Sequence, residues 1–411
     1  MTEKINAADA MIKVLEDWGI HNIYGLPGGS FDSTMNALYN RRHTINYVQV
    51  RHEEVGALAA AGEAKVTGRI GATFGSAGPG AVHLLNGLYD AQYDNVPVLA
   101  LVGQVPTAAM NTNYFQEMNE NPMFADVSVY NRTAMTAEQL PHVVDEAIRQ
   151  AYKHNGVAVV TIPKDLGWTQ IDDNYVSSAN LYQKPLLPDP DPDQVAAAWD
   201  ILKDAKKPIL YVGNGARGAR DEIIAFSEKT HIPIITTALA KGIVPDDYKA
   251  NMGSAGRVAS KPGVEVARGA DTVLFLGSDF PFQPYFIAPN AKYIQVDIDG
   301  SKFGRRHTVD LAVLADAKKF IKALSEKADQ LPESAWYRAA LANKENWREW
   351  MTSFEDDGST PLRVEPIFKL INEMAEKDAI FQVDVGNVTI NGMRYLKTND
   401  DQVFTTSGWY A

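Results

Sequence analysis

Glu53 stands in Val50-Arg51-His52-Glu53-Glu54-Val55-Gly56-Ala57, where a β-rich run passes into an Ala-rich helical pattern. A carboxyl group is thereby placed at a strand's carboxyl end and a helix's N-terminus, where open α/β sheets take their ligands. Taken alone, the residue has a plainer account, because an acid in a helix's first turn complements the macrodipole. Gly75-Ser76-Ala77-Gly78-Pro79-Gly80 also falls between a strand and a helix. Closely spaced glycines let backbone N–H groups approach a ligand without Cβ interference, though a tight turn needs no ligand. Tyr114-Phe115-Gln116-Glu117-Met118-Asn119-Glu120-Asn121-Pro122 reads as an irregular polar loop, of a kind that lines sites or merely connects elements.

Further along, Gly213-Asn214-Gly215-Ala216-Arg217-Gly218 follows a clear strand and precedes a helix. It satisfies G-x-G-x-x-G in the context a dinucleotide fold requires, and Arg217 could add charge near a diphosphate. No acidic residue closes the next strand, Ile232-Pro233-Ile234-Ile235-Thr236-Thr237. Asp297 and Asp299 do close a later one and could accept from a ribose.

Other chemistries are excluded. The chain has no Cys, so thiolate nucleophiles and Cys-ligated metals are out. Its eight histidines form no H-x-x-x-H or H-E-x-x-H pair, and no metal-ligand set is expected within the chain. G-x-S-x-G and G-x-x-x-x-G-K-[ST] are both absent. A net charge of −12 without a basic stripe argues against nucleic acid. The first residues show no signal-peptide pattern, and no apolar run reaches the roughly 20 residues of a membrane span. A cytoplasmic globular protein is expected.

The elements that must hold these residues alternate as short β-rich runs and helical patterns, the mark of parallel α/β sheets. In the first block strands are expected at 23–27, 47–51, 71–74, 96–102 and 157–162, with helices at 53–66 and 140–153. A Pro/Asp-rich stretch, Lys184-Pro185-Leu186-Leu187-Pro188-Asp189-Pro190-Asp191-Pro192, reads as a linker. The second block carries strands at 208–212, 232–236, 272–276 and 293–296. Residues 331–360, with Trp336, Trp347 and Trp350, read as a helical connector. A third block follows, with a helix at 364–376 and a strand at 379–383. The expected domains are 1–183, a linker 184–194, 195–330, a connector 331–360, and 361–411. The last is short of the roughly 100 residues a doubly wound domain needs, so it is expected to be incomplete.

These pieces, in this order, resemble the pyruvate oxidase family of thiamine-diphosphate- and FAD-dependent enzymes. The resemblance spans the whole chain and is most telling at 49–61, 74–90, 115–122, 208–217, 277–282 and 295–299. It implies successive open parallel-sheet α/β domains: a pyrimidine-binding domain, a central FAD domain and the start of a diphosphate-binding domain. By the resemblance Glu53 is the glutamate that meets the cofactor's aminopyrimidine, where a carboxyl group favours the imino form that removes the thiazolium C2 proton. Gly29, Ser30, Phe115 and Gln116 become substrate-side residues, and His83 approaches the cofactor. In the central domain Gly213, Gly215, Ala216 and Arg217 would meet the FAD diphosphate. Ser254, Arg257, Gly277, Ser278, Asp279 and Phe280 would reach the ribityl and flavin portions, and Asp297, Asp299, Asp316 and Ala317 the adenosine end.

The reaction so implied converts pyruvate, phosphate and oxygen to acetyl phosphate, carbon dioxide and hydrogen peroxide. The family's sites lie between subunits, which implies a homodimer or homotetramer. The family also holds the diphosphate and Mg²⁺ with a Gly-Asp-Gly motif, and none occurs here. The metal ligands are therefore expected outside these residues, and this chain is expected to be inactive alone. A carboligase resembling acetolactate synthase, a quinone-reducing relative and a non-catalytic flavin-binding fragment are the alternatives.

Overall fold

A computed structural model describes residues 3–399 and 401–410. Residues 1 and 411, the outer bounds of the first and last expected domains, lie outside the described residues. The chain divides into two compact units, Met1–Pro185 with Ser407–Ala411, and Leu186–Thr406.

Among the described residues the first unit has eight strands: β1 (Lys4–Asn6), β2 (Asn22–Gly25), β3 (Asn46–Gln49), β4 (Gly71–Gly75), β5 (Val98–Gln104), β6 (Ser128–Thr133), β7 (Val157–Pro163) and β8 (Gln170–Asp172). Six form one parallel sheet in the order β3-β2-β4-β5-β7-β6, and β1 pairs antiparallel with β8. Every residue of β4, β5 and β7 is buried, as a parallel sheet covered on both faces demands. Alternation divides β5 between two cores: Leu99 and Leu101 join Met11, Leu15 and Phe31, while Val98 and Ala100 join Ala57, Leu84 and Leu88. The helices expected at 53–66 and 140–153 are Glu53–Thr67 and Gln139–His154. Strands β6, β1 and β8 were not foreseen. β6, Ser-Val-Tyr-Asn-Arg-Thr, is a polar edge strand with no apolar run to betray it.

The second unit holds β9 (Pro208–Val212), β10 (Ile234–Thr236), β11 (Asn251–Ser254), β12 (Thr272–Leu276), β13 (Lys292–Asp297) and β14 (Leu311–Leu314), all parallel, in the order β11-β10-β9-β12-β13-β14. This is the doubly wound dinucleotide order, with its reversal between β9 and β12. The connector forms the helix Ala335–Thr352, fixed by buried Tyr337 and by Trp336 Nε1 donating to the Pro208 carbonyl at 3.1 Å. The helix Glu365–Met374, strand β15 (Ile380–Gln382), helix Asn387–Tyr395 and strand β16 (Val403–Thr405) follow. Phe368, Val383, Met393, Leu396 and Phe404 pack with Ala238 and Val258. Asp246 ties this layer down, accepting from the Thr398 amide and hydroxyl at 2.8 Å each and from Lys241 Nζ at 2.6 Å.

Both sheets are open α/β sheets with the parallel strands the sequence called for, and neither closes into a barrel.

Candidate active site

Parallel strands send every strand-to-helix turn to one edge of their sheet. In the first unit β2 is followed by a strand on one side (β3) and then one on the other (β4), so the turns after β2 and β4 diverge and leave a crevice. The turn after β2 carries Gly29 and Ser30, the turn after β4 is the glycine run 75–80, and the turn after β3 delivers Glu53.

Glu53 is the first residue of its helix and only 6% exposed. Its Oε2 lies 2.9 Å from Nδ1 of His83, the last residue of the short helix Pro79–His83. The other oxygen, Oε1, faces Gly80, where an added Cβ would sit 3.0 Å from it. His52 caps the Glu53 helix, its Nδ1 accepting from the Glu54 amide at 3.3 Å, and its ring stacks on His83 at 4.3 Å. Sequence reasoning passed over His52. Its adjacency to Glu53 was the available signal, but the stacking partner is 31 residues away in the chain. The ligand atoms of His52, Glu53 and His83 all lie within 4.8 Å of one another, a spacing that could hold a cation and that the sequence, read as offering no metal-ligand set, did not suggest.

The glycine turn is the hub of the other site residues. Ser76 Oγ lies 2.9 Å from Ser30 Oγ, which accepts the Ala77 amide at 2.8 Å. Gly78, at φ +70°, has a conformation that L side chains rarely adopt, and a Cβ there would come within 2.9 Å of the Gln116 carbonyl. The turn thus joins Glu53 and His83 on one side, Ser30 on another and Gln116 on a third. Phe115 projects into solvent, 78% exposed. Ser76, inside a motif noted for its glycines, is a site residue the sequence did not single out.

In the second unit the turns after β9 and β12 meet at the reversal. The Gly213 amide donates to the Leu276 carbonyl at 2.9 Å and the Gly215 amide to the Gly277 carbonyl at 3.0 Å; a Cβ on Gly213 would lie 2.2 Å from that Gly277 oxygen. Ala216 is buried. Arg217 is anchored locally, Nη2 donating to the Leu239 carbonyl at 3.0 Å and Nε to Asn214 Oδ1 at 3.2 Å, and burial pulls its pKa down. Ser254 is buried at the end of β11, and the next residue, Ala255, accepts from the Tyr211 hydroxyl at 2.8 Å. Phe280 packs on Tyr211 at 4.9 Å, and Arg257 stacks on Phe282 at 5.0 Å.

Ser278 is buried beside Asp279, which pairs with Arg305 and, at 3.4 Å, Arg306. Asp279 Oδ1 is buried without a hydrogen-bond partner. Asp297 accepts the Asp299 amide at 2.9 Å, and burial pushes its carboxyl up, whereas Ser301 holds Asp299 down. Asp316 caps the helix that Ala317 begins, accepting the Lys319 amide at 2.9 Å. It follows the edge strand β14, away from the β9–β12 reversal.

Comparison with known proteins agrees with this layout. The family model for the thiamine pyrophosphate enzyme N-terminal TPP binding domain matches residues 5–123, and that for the central domain matches 195–324. A pyruvate oxidase from Lactiplantibacillus plantarum is 51% identical over 410 residues, spanning 99% of this chain and 68% of that protein. A putative thiamine pyrophosphate-containing protein from Bacillus subtilis, YdaP, is 38% identical over 98% of this chain and 70% of its own length. An acetolactate synthase from Mycobacterium bovis is 30% identical over 99% of this chain and 67% of its own. A buried glutamate brought up beside a glycine turn, the other residues that this turn collects, and these matches in domain order lead to one statement: the chain belongs to the thiamine pyrophosphate enzymes and carries their N-terminal TPP-binding and central domains.

Proposed function

We propose that the chain carries the pyrimidine- and FAD-binding parts of a pyruvate oxidase, which converts pyruvate, phosphate and oxygen to acetyl phosphate, carbon dioxide and hydrogen peroxide with thiamine diphosphate, FAD and Mg²⁺, and that turnover requires diphosphate- and Mg²⁺-binding residues outside this chain, which has no Gly-Asp-Gly motif. The observation that carries the reading is the buried Glu53 carboxyl, with one oxygen held by His83 and the other facing Gly80, in a chain 51% identical to a pyruvate oxidase. The residues fit the pyrimidine, because Gly80 lacks the side chain that would otherwise crowd Oε1.

When bound, thiamine diphosphate would supply both a nucleophilic carbon to attack the substrate carbonyl and a cationic thiazolium ring to accept the electron pair left by decarboxylation. Glu53 would hydrogen-bond the ring nitrogen of the pyrimidine, in a buried setting that strengthens the bond. His83 Nδ1 fixes the second oxygen, so the carboxyl cannot rotate away. The Ser30–Ser76 hydroxyl pair and the Gln116 amide would orient the substrate, and Phe115 would exclude water. In the second unit the 213–217 and 277–280 turns would hold FAD, which takes two electrons and passes them to oxygen. Asp279 Oδ1, buried and unpartnered, suits a ribityl hydroxyl donor.

Val55, Val82 and Phe115 are exposed apolar side chains that a second copy could cover in the homodimer or homotetramer this reading implies, and the reading places the protein in the cytoplasm. The similarity to acetolactate synthase supports a second reading, a carboligase. The test supplies the purified protein with thiamine diphosphate, Mg²⁺, FAD, pyruvate and phosphate and follows hydrogen peroxide. Bound flavin without peroxide is the result expected of this chain alone, and it is also what a non-catalytic flavoprotein would give. Phosphate-dependent peroxide with acetyl phosphate would uphold the oxidase reading and overturn the expected inactivity, and acetolactate without peroxide would favour the carboligase.

A further inference from the structure

The turn that carries Phe115 and Gln116 is wound around a carboxylate. Between the 3-10 turn Thr107–Ala109 and the helix Glu120–Phe124, three non-glycine residues have left-handed backbone: Asn111 at φ +65°, Asn113 at +58° and Gln116 at +63°. Asparagine tolerates that region through its short polar side chain, whereas for glutamine it is a strained conformation. Such strain persists only where the surroundings over-determine it.

Glu117 supplies that determination. Its Oε1 accepts the Asn111 amide, its Oε2 accepts the Tyr114 amide at 2.9 Å, and its own amide donates to the Tyr114 carbonyl at 2.9 Å. The Tyr114 and Asn111 amides, followed by those of Thr112 and Asn113, hold the carboxyl below its usual range. Successive backbone N–H groups converging on one anion form a nest, here occupied by the protein's own side chain. The Thr112 hydroxyl closes the start of the loop on the Ala109 carbonyl at 2.6 Å. On its far side the turn rests on Gly78, whose missing Cβ admits the Gln116 carbonyl.

We propose that Glu117 is a positioning residue: its carboxylate fixes the strained 111–116 backbone and so presents Phe115 and Gln116 beside the glycine turn. What that presentation is for rests on the reading given under Proposed function; how the turn is held does not. The Glu117 side chain spends both oxygens on backbone amides of its own loop.

The experiment is hydrogen exchange on the protein with thiamine diphosphate and FAD added, comparing wild type, Glu117→Ala and the near-isosteric Glu117→Gln. Amides of 111–116 should exchange roughly ten- to a hundredfold faster in Glu117→Ala, the effect of losing a charge-assisted hydrogen bond, and by an intermediate factor in Glu117→Gln. Exchange in β4 and in the Glu53 helix should stay as in wild type. Wild-type exchange at 111–116 in both variants would overturn the proposal, as would faster exchange spread evenly through the first unit. In turnover assays the variants should raise KM for pyruvate more than they lower kcat, and Glu117→Gln should recover part of the loss. Local exchange that quickens while KM stays constant would overturn the substrate role given to the turn, and leave its tether to Glu117 established.

Discussion

Glu53 and Glu120 are both buried glutamates at helix N-termini in the first unit, and they are buried for different ends. Glu53 has a partner for one oxygen and a glycine opposite the other. Replacing it by Gln should leave the far-UV circular dichroism unchanged and lower peroxide production by about 10²–10⁴-fold, the usual worth of a positioned acid–base group. Glu120 has both oxygens buried without a hydrogen-bond partner, and burial pushes its pKa from 4.5 up to about 8. Below pH 4.5 it is protonated in folded and unfolded chains alike, and its burial costs nothing in ionisation. Between 4.5 and about 8 the unfolded chain releases the proton first, so stability falls as pH rises; above about 8 the full cost is present. Glu120→Gln should therefore raise Tm by roughly 5 °C or more at pH 8, with the gain vanishing toward pH 4.5 in melts across that range. The sequence showed Glu53 as a carboxylate in a suggestive place, with the macrodipole as the plainer account until the resemblance was drawn. What it could not show was His83 closing on the carboxyl from 30 residues away, or Glu120 turned inward from a loop that reads as polar.

At the scale of elements, strands buried on both faces were legible, whereas of the edges of the two six-stranded sheets β3 was legible and β6, β11 and β14 were not. Strands β9 and β12 match the expected 208–212 and 272–276 residue for residue, because a continuous apolar run bounded by Gly or Pro has few other readings. β11, Asn-Met-Gly-Ser, and β14, Leu-Ala-Val-Leu, form the two edges of the second sheet and were not among the expected strands; β11 offers no continuous apolar run. The glycines of the second unit have a structural duty alongside any ligand. Gly277 lies at φ +62°, and a Cβ there would come within 2.6 Å of the Gly215 carbonyl carbon. Gly218, at φ +87°, has nothing within 4 Å of that position. Gly277→Ala should thus cost about 3 kcal/mol or more, combining backbone strain with a clash, and Gly218→Ala only about 1 kcal/mol. Urea titrations of the two variants with unchanged m-values would check the difference.

For the whole molecule, each unit has its own sheet and its own cores, which share no residue. The Pro/Asp-rich stretch that the sequence marked as a linker meets the boundary at Pro185, and Leu186 within it is 98% exposed. Limited digestion with a broad-specificity protease should cut first within 184–191 and leave a resistant N-terminal fragment, read by mass spectrometry. The sequence did not foretell that residues from Ser407 onward group with the first unit, where the Gly408 amide donates to Asp94 at 3.0 Å and Tyr410 stacks on Tyr89 and Tyr93. Such contacts join side chains more than 300 positions apart, and no local pattern encodes them.

The one-edged layout of the first sheet also divides the protein for an engineer. Turns leaving the strands collect the chemistry, so turns entering them are left with little to do beyond reversing the chain. The exposed Thr67-Gly68-Arg69 corner, just ahead of β4, is such an entry. A short epitope or fluorophore-binding peptide spliced after Gly68 should be carried silently, whereas the same insert after Gly78, at the opposite end of that strand, should abolish turnover. A single strand five residues long would then separate a free attachment point from an untouchable one.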